Sequence, residues 1–465
     1  MPRKVTLSLE LLTAALCLYL AWHAISWALQ PGLSMILDEI SNLPRFLTGL
    51  TWRGVNILPH FAYNDRPVGF MLERWWFELF GFNYRPQLLC FLSIHFANLV
   101  LGFFLLRRMG ASALASLGAL CVFATLSSTA QTVTYLGAIF DVLCLFLMLA
   151  STLAFLSKKP GTAALSALLF FLALRTKEFA IVLPVLLLGI AYYEKTLHRL
   201  WIHLSLWAVF LIQYALLIRR MIPSMPAGNP YTIHADPRTI LTSFLYFTSL
   251  IFHEEAHPRR AGVLLLLVVA MAAYAICRRR GWIWWNLAAY ALTLLPVAII
   301  PGNRSEFYLY APAIFLLFAA ALTLEDLIAL ATADQRGRWI AVAAATAVVL
   351  LSVVLFQKGP YFKNRVAFTL FQRQSAQRTA SDLTTLLPGI PPDSWLYVYQ
   401  GANPSWLLIP GPCDYLNLPL RRQVYHCLVS SSLQDTRQQY AAQKPPKYYL
   451  LYSANGSLRL RDGGP

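Results

Sequence analysis

The stretch VTYLGAIFDVLCLFLMLASTLAFL, residues 133–156, carries a single charge, Asp141, eight residues in. At a rise of about 1.5 Å per residue, a helix of this length reaches about 36 Å, enough to cross a hydrocarbon core of about 30 Å. Its apolar residues run on without alternating, which argues against a barrel strand. A helix is then the form that satisfies the backbone in lipid. Outward from it, similar runs recur at about 6–30, 87–106, 111–128, 161–175, 179–193, 199–219, 239–252, 261–277, 282–300, 307–330 and 338–356. The 465-residue chain is 58% hydrophobic and 13% charged, with a mean hydropathy of +0.54. These values predict an all-α polytopic membrane protein.

The net charge is +17. Its Arg and Lys are scattered between spans and form no groove-sized patch, so nucleic acid is not an expected partner. Membrane lipids are, because basic loops face anionic lipid and mark the inner side. The N-terminal run is too long for a signal peptide and reads as a retained first span. With the N-terminus inside, Arg107-Arg108, Lys158-Lys159 and Lys195 to Arg199 fall inside and the 31–86 loop falls outside. Segment 239–252 is short for a full crossing. Read as re-entrant, it puts Arg278 to Arg280, Arg336 and Arg338 inside. Eleven full crossings, or thirteen with the same parity, are expected.

On this topology the 31–86 loop, the Arg175 to Glu178 turn, the 220–260 region and the 301–310 turn share the outer face. Distant segments that meet at one membrane surface build a pocket. Two divisions of the chain follow: a transmembrane domain over 1–356 with its large first external loop, and a small α/β extramembrane domain over 357–465. The latter holds a polar helix at about 364–387 and strand-like WLYVYQ (395–400) and KYYLLYS (447–453). Of seven cysteines, five lie in or beside apolar runs and behave as small hydrophobes, while Cys413 and Cys427 lie in the tail.

Several residues are candidates for chemistry. Asp38 follows an apolar run, where partial desolvation makes a carboxylate a better proton acceptor. It also reads as a plain helix-end acid. Glu39 is adjacent and points about 100° away on a helix. Asp65, in NDRPV beside Arg66, is either an N-cap or a second carboxylate that positions an acceptor or a metal. Asp141 is an acid within the membrane and is functional or paired, with His95 or Arg175 as partners. His95 also reads as an interhelical hydrogen bond with Asn98 or another helix. Arg175, Lys177 and Glu178 read as a surface pair or as cations for a phosphate. Arg304, Glu306 and Tyr308 read as an interface anchor or as an anionic headgroup site. His253-Glu254-x-x-His257 has zinc-helix spacing, but Pro258 truncates the helix.

Six motifs in order, LDEI, NDRPV…ELFGF…SIHFANL, LLRRMG, GAIFDVL, RTKEFAIVLP and LLPVAIIPGNRSEFYLYAP, resemble the GT-C superfamily of integral-membrane glycosyltransferases. The resemblance is nearest to the protein O-mannosyltransferases and their bacterial relatives, and it covers about residues 30–315. It implies a polyprenyl-phosphate-linked sugar as donor and a protein, glycan or lipid hydroxyl as acceptor. It implies inversion, with Asp38 as general base, Glu39 and Asp65 positioning the acceptor or a metal, and Arg304, Lys177 and Arg175 on the donor phosphate. Arg66, His95, Asp141, Glu178, Glu306 and Tyr308 support the site. Where the family often has Arg, this chain has Phe307. A single base needs no obligatory metal, although Asp38, Glu39 and Asp65 would suit Mg²⁺ or Mn²⁺. The expected place is a bacterial inner membrane, with the site and the C-terminal domain on the periplasmic side. The competing reading is a lipid or glycan transporter.

Overall fold

The computed structural model describes residues 3–33, 35, 39, 66–81, 83–157, 159–221, 232–234, 236–251, 258–302, 304–332, 334–358, 360–391, 394–399, 426–430, 447–452 and 458–461. Asp38, Asp65 and the 252–257 segment lie outside the described residues. Two compact units are present. The first comprises Met1–Ser26, Asn56–Gly69 and Phe91–Gly359, the second Trp27–Val55, Phe70–Cys90 and Pro360–Pro465.

The chain is a polytopic, overwhelmingly helical protein. Its helices are α1 (Arg3–Ile25), α2 (Pro67–Phe80), α3 (Tyr84–Arg108), α4 (Ala113–Thr125), α5 (Ser127–Thr134), α6 (Ile139–Leu156), α7 (Thr162–Leu174), α8 (Leu183–Tyr193), α9 (Trp201–Met221) and α10 (Pro237–Leu250). They continue with α11 (Pro258–Cys277), α12 (Gly281–Ala298), α13 (Tyr310–Ala331), α14 (Gln335–Lys358) and α15 (Pro360–Leu386). Among the described residues five helical stretches are long and apolar enough to cross a membrane: Leu7–Leu29, Tyr84–Arg108, Leu136–Leu156, Glu306–Ala331 and Gln335–Lys358. A sixth arises if α4 and α5, bent by 63°, count as one span. The eleven to thirteen crossings expected exceed this number. Thr162–Leu174, Glu178–Tyr193, Trp201–Leu216 and Gly262–Cys277 are apolar but shorter.

In the first unit, α6 lies at the centre, with Val142, Leu145 and Cys144 fully buried. Its hydroxyl neighbours show how polar groups are satisfied away from water. Ser151 and Ser166 each donate to the other's carbonyl at 2.8 Å, joining α6 to α7, and Ser166 reaches His203 Nε2 at 2.9 Å. Thr125, Thr152, Thr293 and Thr323 donate to their own i−4 carbonyls. On α1, Cys17 and Leu20 join Cys121, Leu350 and Val353 in an apolar cluster. Gln357 fastens that face by donating to Leu20 O and bonding His23.

Helix ends alternate between two groups of turns. At one, Ser112 caps α4 and its amide donates to Glu325. There too Arg199 holds Ser157 O, Arg280 pairs with Asp326 at 2.6 Å, and Arg338 lies 3.7 Å from Glu325. This end carries the Arg107, Arg199, Arg280 and Arg338 turns. At the other, the His234 amide donates to Ile299 O at 2.8 Å, and the 66–68, 175–178 and 304–308 segments meet.

The second unit contains α15 and a four-stranded sheet of β1 (Trp395–Tyr399), β2 (His426–Ser430), β3 (Lys447–Tyr452) and β4 (Leu458–Arg461), in the order β2-β1-β3-β4. β1 is parallel to both neighbours, with Trp395 opposite His426 and Lys447, and β3 pairs antiparallel with β4. Buried Leu396 and Tyr397 suit the central strand. Glu39 is enclosed here as well. Arg373 donates to both its oxygens, at 3.0 and 2.8 Å, and lies 3.9 Å from the Tyr84 ring centroid.

Candidate functional site

Three segments build the centre of the site in the first unit. The start of α2 brings Arg66, the first turn of α6 brings Asp141, and the turn after α7 brings Arg175, Lys177 and Glu178. Asp141 suits a helix start, where the exposed amides favour a negative charge. Its carboxylate accepts from Lys177 Nζ with both oxygens, at 2.6 Å each. The two side chains are 5% and 7% exposed. The partner of Asp141 is therefore neither His95 nor Arg175, the two expected from sequence. Helix α7 ends before Arg175, so the following backbone is free to turn Lys177 inward.

Beside this pair, Arg66 makes a fork on Glu178. Nε and Nη2 reach Oε1 at 3.0 and 2.8 Å, and Nη2 reaches Oε2 at 2.9 Å. Arg66 also faces the Phe140 ring at 5.3 Å, and the Val68 amide donates to Arg175 O at 3.2 Å. Gly69 permits this approach: a Cβ there would lie 2.5 Å from Phe140 Cδ1. Arg175 is buried, with its guanidinium 5.9 Å from the Phe210 ring.

Aromatic rings close the site from above. Lys177 Nζ lies 4.7 Å from the Tyr308 ring centroid and 5.5 Å from that of Phe307, distances at which the ring faces attract the cation. Tyr135 stacks on Phe307 at 6.2 Å. Phe307 thus sits against a cation. Deeper, Asn98 donates to Tyr310 Oη at 3.2 Å and to Val142 O at 2.9 Å. Tyr310 and His95 Nδ1 share a hydrogen bond of 2.7 Å. The Tyr310 hydroxyl thus links Asn98 on one side to the His95 imidazole on the other.

Arg304 differs from the other cations. It is exposed, its Nε donates to Pro301 O at 3.1 Å, and its guanidinium lies 4.5 Å from the Tyr246 ring of α10. Arg175 and Lys177 are 1% and 6% exposed, and Lys177 spends its charge on Asp141. Glu306 and Tyr308 lie in the turn that follows Arg304.

Asp38 and Asp65 lie outside the described residues, so their geometry is not part of this site. Glu39 belongs to the second unit, and its ion pair with Arg373 engages both carboxylate oxygens. Among the described residues no three His, Cys, Asp or Glu side chains cluster as a metal site. The interhelical hydrogen bond of His95 was expected, with Asn98 or another helix as partner, and Tyr310 on another helix is that partner; the Arg66–Glu178 fork, and Tyr135 and Phe140 as walls, were not found from sequence. The NDRPV and RTKEF motifs name the first two partners, but 112 residues separate them.

The arrangement is a near-neutral lattice of two ion pairs at the end of a helix bundle, roofed by aromatics and flanked by an available arginine. These features define a polytopic helical membrane protein with an ionic site at one end of its bundle. No protein-family model and no curated protein sequence matches the chain.

Proposed function

We propose that this protein is an integral-membrane glycosyltransferase that takes a sugar from a polyprenyl-phosphate donor. Asp38 accepts the proton of an acceptor hydroxyl. The oxygen forms a bond to the anomeric carbon, the bond from that carbon to the phosphate oxygen breaks, and polyprenyl phosphate leaves with inversion. The observation that carries the reading is Arg304: an exposed guanidinium, braced on Tyr246 and Pro301 O, at the bundle end where the Lys177–Asp141 and Arg66–Glu178 pairs meet. A leaving phosphate needs a cation in a poorly solvated place. In this reading Arg304 contacts the phosphate and Arg175 acts from behind through its field, while the charge of Lys177 is balanced by Asp141 until the phosphate arrives to compete for it. Arg66 and Glu178 hold the start of α2.

The shorter apolar helices complete the crossings in this proposal. Helix α10 is re-entrant on the outer side, and residues 357–465 form a small α/β domain outside the bilayer. No obligatory metal is invoked. The test is transfer from a radiolabelled polyprenyl-phosphate sugar pool in membranes. Asp38→Asn should abolish transfer with the protein still inserted. Arg304→Gln should raise the donor KM about tenfold, the scale of one charge-assisted hydrogen bond. Unchanged transfer in both variants would overturn the reading.

A second reading, a lipid or glycan transporter, is favoured by one observation. Helices α4 and α5 form a broken span bent by 63° at Leu126, and α5 buries Ser128, Thr129, Thr132 and Thr134. Broken helices of this kind line transport paths. Movement of a labelled lipid-linked sugar across proteoliposomes, with no transfer to any acceptor, would select it.

A further inference from the structure

A crevice of about 620 Å³ opens at the basic end of the first unit, far along α3 and α6 from the ion pairs. It is lined by Phe104, Arg108, Leu153, Leu156, Ser157 and Lys159. Its polarity is layered along the helices. Phe104, Leu153 and Leu156 form its apolar lining, within about four residues of the helix ends, with Phe104 on the exposed side. Arg108 and Lys159 form the rim. No carboxylate lines it.

The rim is held in place by bonds that do not use its two charges. Arg199 donates to Ser157 O at 2.6 Å and to Thr162 Oγ1 at 2.9 Å. Thr162 Oγ1 donates to Lys159 O at 2.8 Å. Gly161, at φ +79°, lets the turn reverse into α7. This bracing fixes the backbone of Lys159 above the last turn of α6, beside Arg108. Two carboxylates at this end are already engaged, Asp326 by Arg280 and Glu325 by Arg338 and the Ser112 amide, and Glu194 does not line the crevice. The side chains of Arg108 and Lys159 have no ion-pair partner among the described residues.

We propose that this crevice is a binding site for an anionic glycerophospholipid, with the headgroup phosphate between Arg108 and Lys159 and the first acyl carbons against Phe104, Leu153 and Leu156. Charge complementarity selects the occupant. Two uncompensated cations attract a phosphate, and an apolar wall directly below them fits the chain attached to it, where a free anion would leave that wall bare. The site is distinct from the donor site proposed above and does not depend on it.

The test is native mass spectrometry of the full-length protein in detergent, titrated with phosphatidylglycerol or phosphatidylcholine. Wild type should retain phosphatidylglycerol in preference. R108Q/K159Q should lower its apparent affinity about tenfold or more, with an unchanged size-exclusion profile. The control R279Q/R336Q, which neutralises two cations at the same end outside the crevice, should leave it unchanged. Soluble glycerophosphoglycerol should not displace the lipid, since it lacks the chains. Equal retention by wild type and R108Q/K159Q would overturn the proposal, as would an equal loss in the control. Displacement by the soluble headgroup would assign the site to a phosphate ester alone and overturn the lipid.

Discussion

The energetics of the site rest on single side chains. Lys177 and Asp141 are desolvated together, so neither charge is tolerated alone. Lys177→Met should cost about 3–5 kcal/mol by stranding a buried carboxylate. The double variant K177M/D141L should recover most of that, because an apolar pair strands nothing. Thermal unfolding in detergent measures both, and additive losses would contradict the pairing. The Arg66–Glu178 fork is worth less, since Glu178 remains 38% exposed and solvent screens it. Gly69 is the second sensitive position. Gly69→Ala drives a methyl into Phe140 and should cost about 1–3 kcal/mol, and Phe140→Leu in the same chain should restore stability. An Ala variant as stable as wild type would show that α2 starts elsewhere.

At the scale of elements, caps decide where the shorter helices begin. Asp236 Oδ1 accepts the Thr239 amide at 2.8 Å, with Pro237 in the first turn. The hydrogen bonds from Thr239 hold the Asp236 carboxyl below its usual range. A depressed carboxylate adds stability at neutral pH and loses it as pH falls through the lowered value. Hydrogen exchange at the first amides of α10 should therefore be slow at neutral pH and quicken below the ordinary carboxylate range, and Asp236→Ala should be fast at both. An exchange rate in the variant equal to wild type would remove the cap from the account. Helix α10 has 14 residues, about 21 Å, which matches the short segment anticipated from the sequence. The break between α4 and α5 was not anticipated. The sequence there, Leu126 followed by two serines, contains neither Pro nor Gly, and the bend lies in Leu126 ψ of 141°.

At the scale of the molecule, charge and turns are sorted by end. The turns with Arg107, Arg199, Arg280 and Arg338 belong to one group, and those with Arg66, Lys177 and Arg304 to the other. A membrane-impermeant maleimide should label His234→Cys and Arg336→Cys from opposite faces, in a background with the native cysteines replaced. Labelling of both from one face would dismiss the alternation. The apolar runs, the turns between them and the short segment before Pro258 were legible because hydropathy and run length act along the chain. So were the strands at 395 and 447, which are rich in aromatic residues, whereas the strands at 426 and 458 have weaker local signals. The charges that gather at this end were legible one residue at a time: Asp141, Lys177, Glu178, Arg66 and Arg304 each stood out as a charge beside an apolar run. Sequence alone determined that these charges exist, that they need partners in a dry place and that the chain is a helical membrane protein. Only the tertiary structure decided that Lys177 takes Asp141, Arg66 takes Glu178, Arg373 takes Glu39, and Arg304 keeps its guanidinium open. Pairing across 36, 112 and 334 residues depends on which segments meet in space, and no local propensity encodes that.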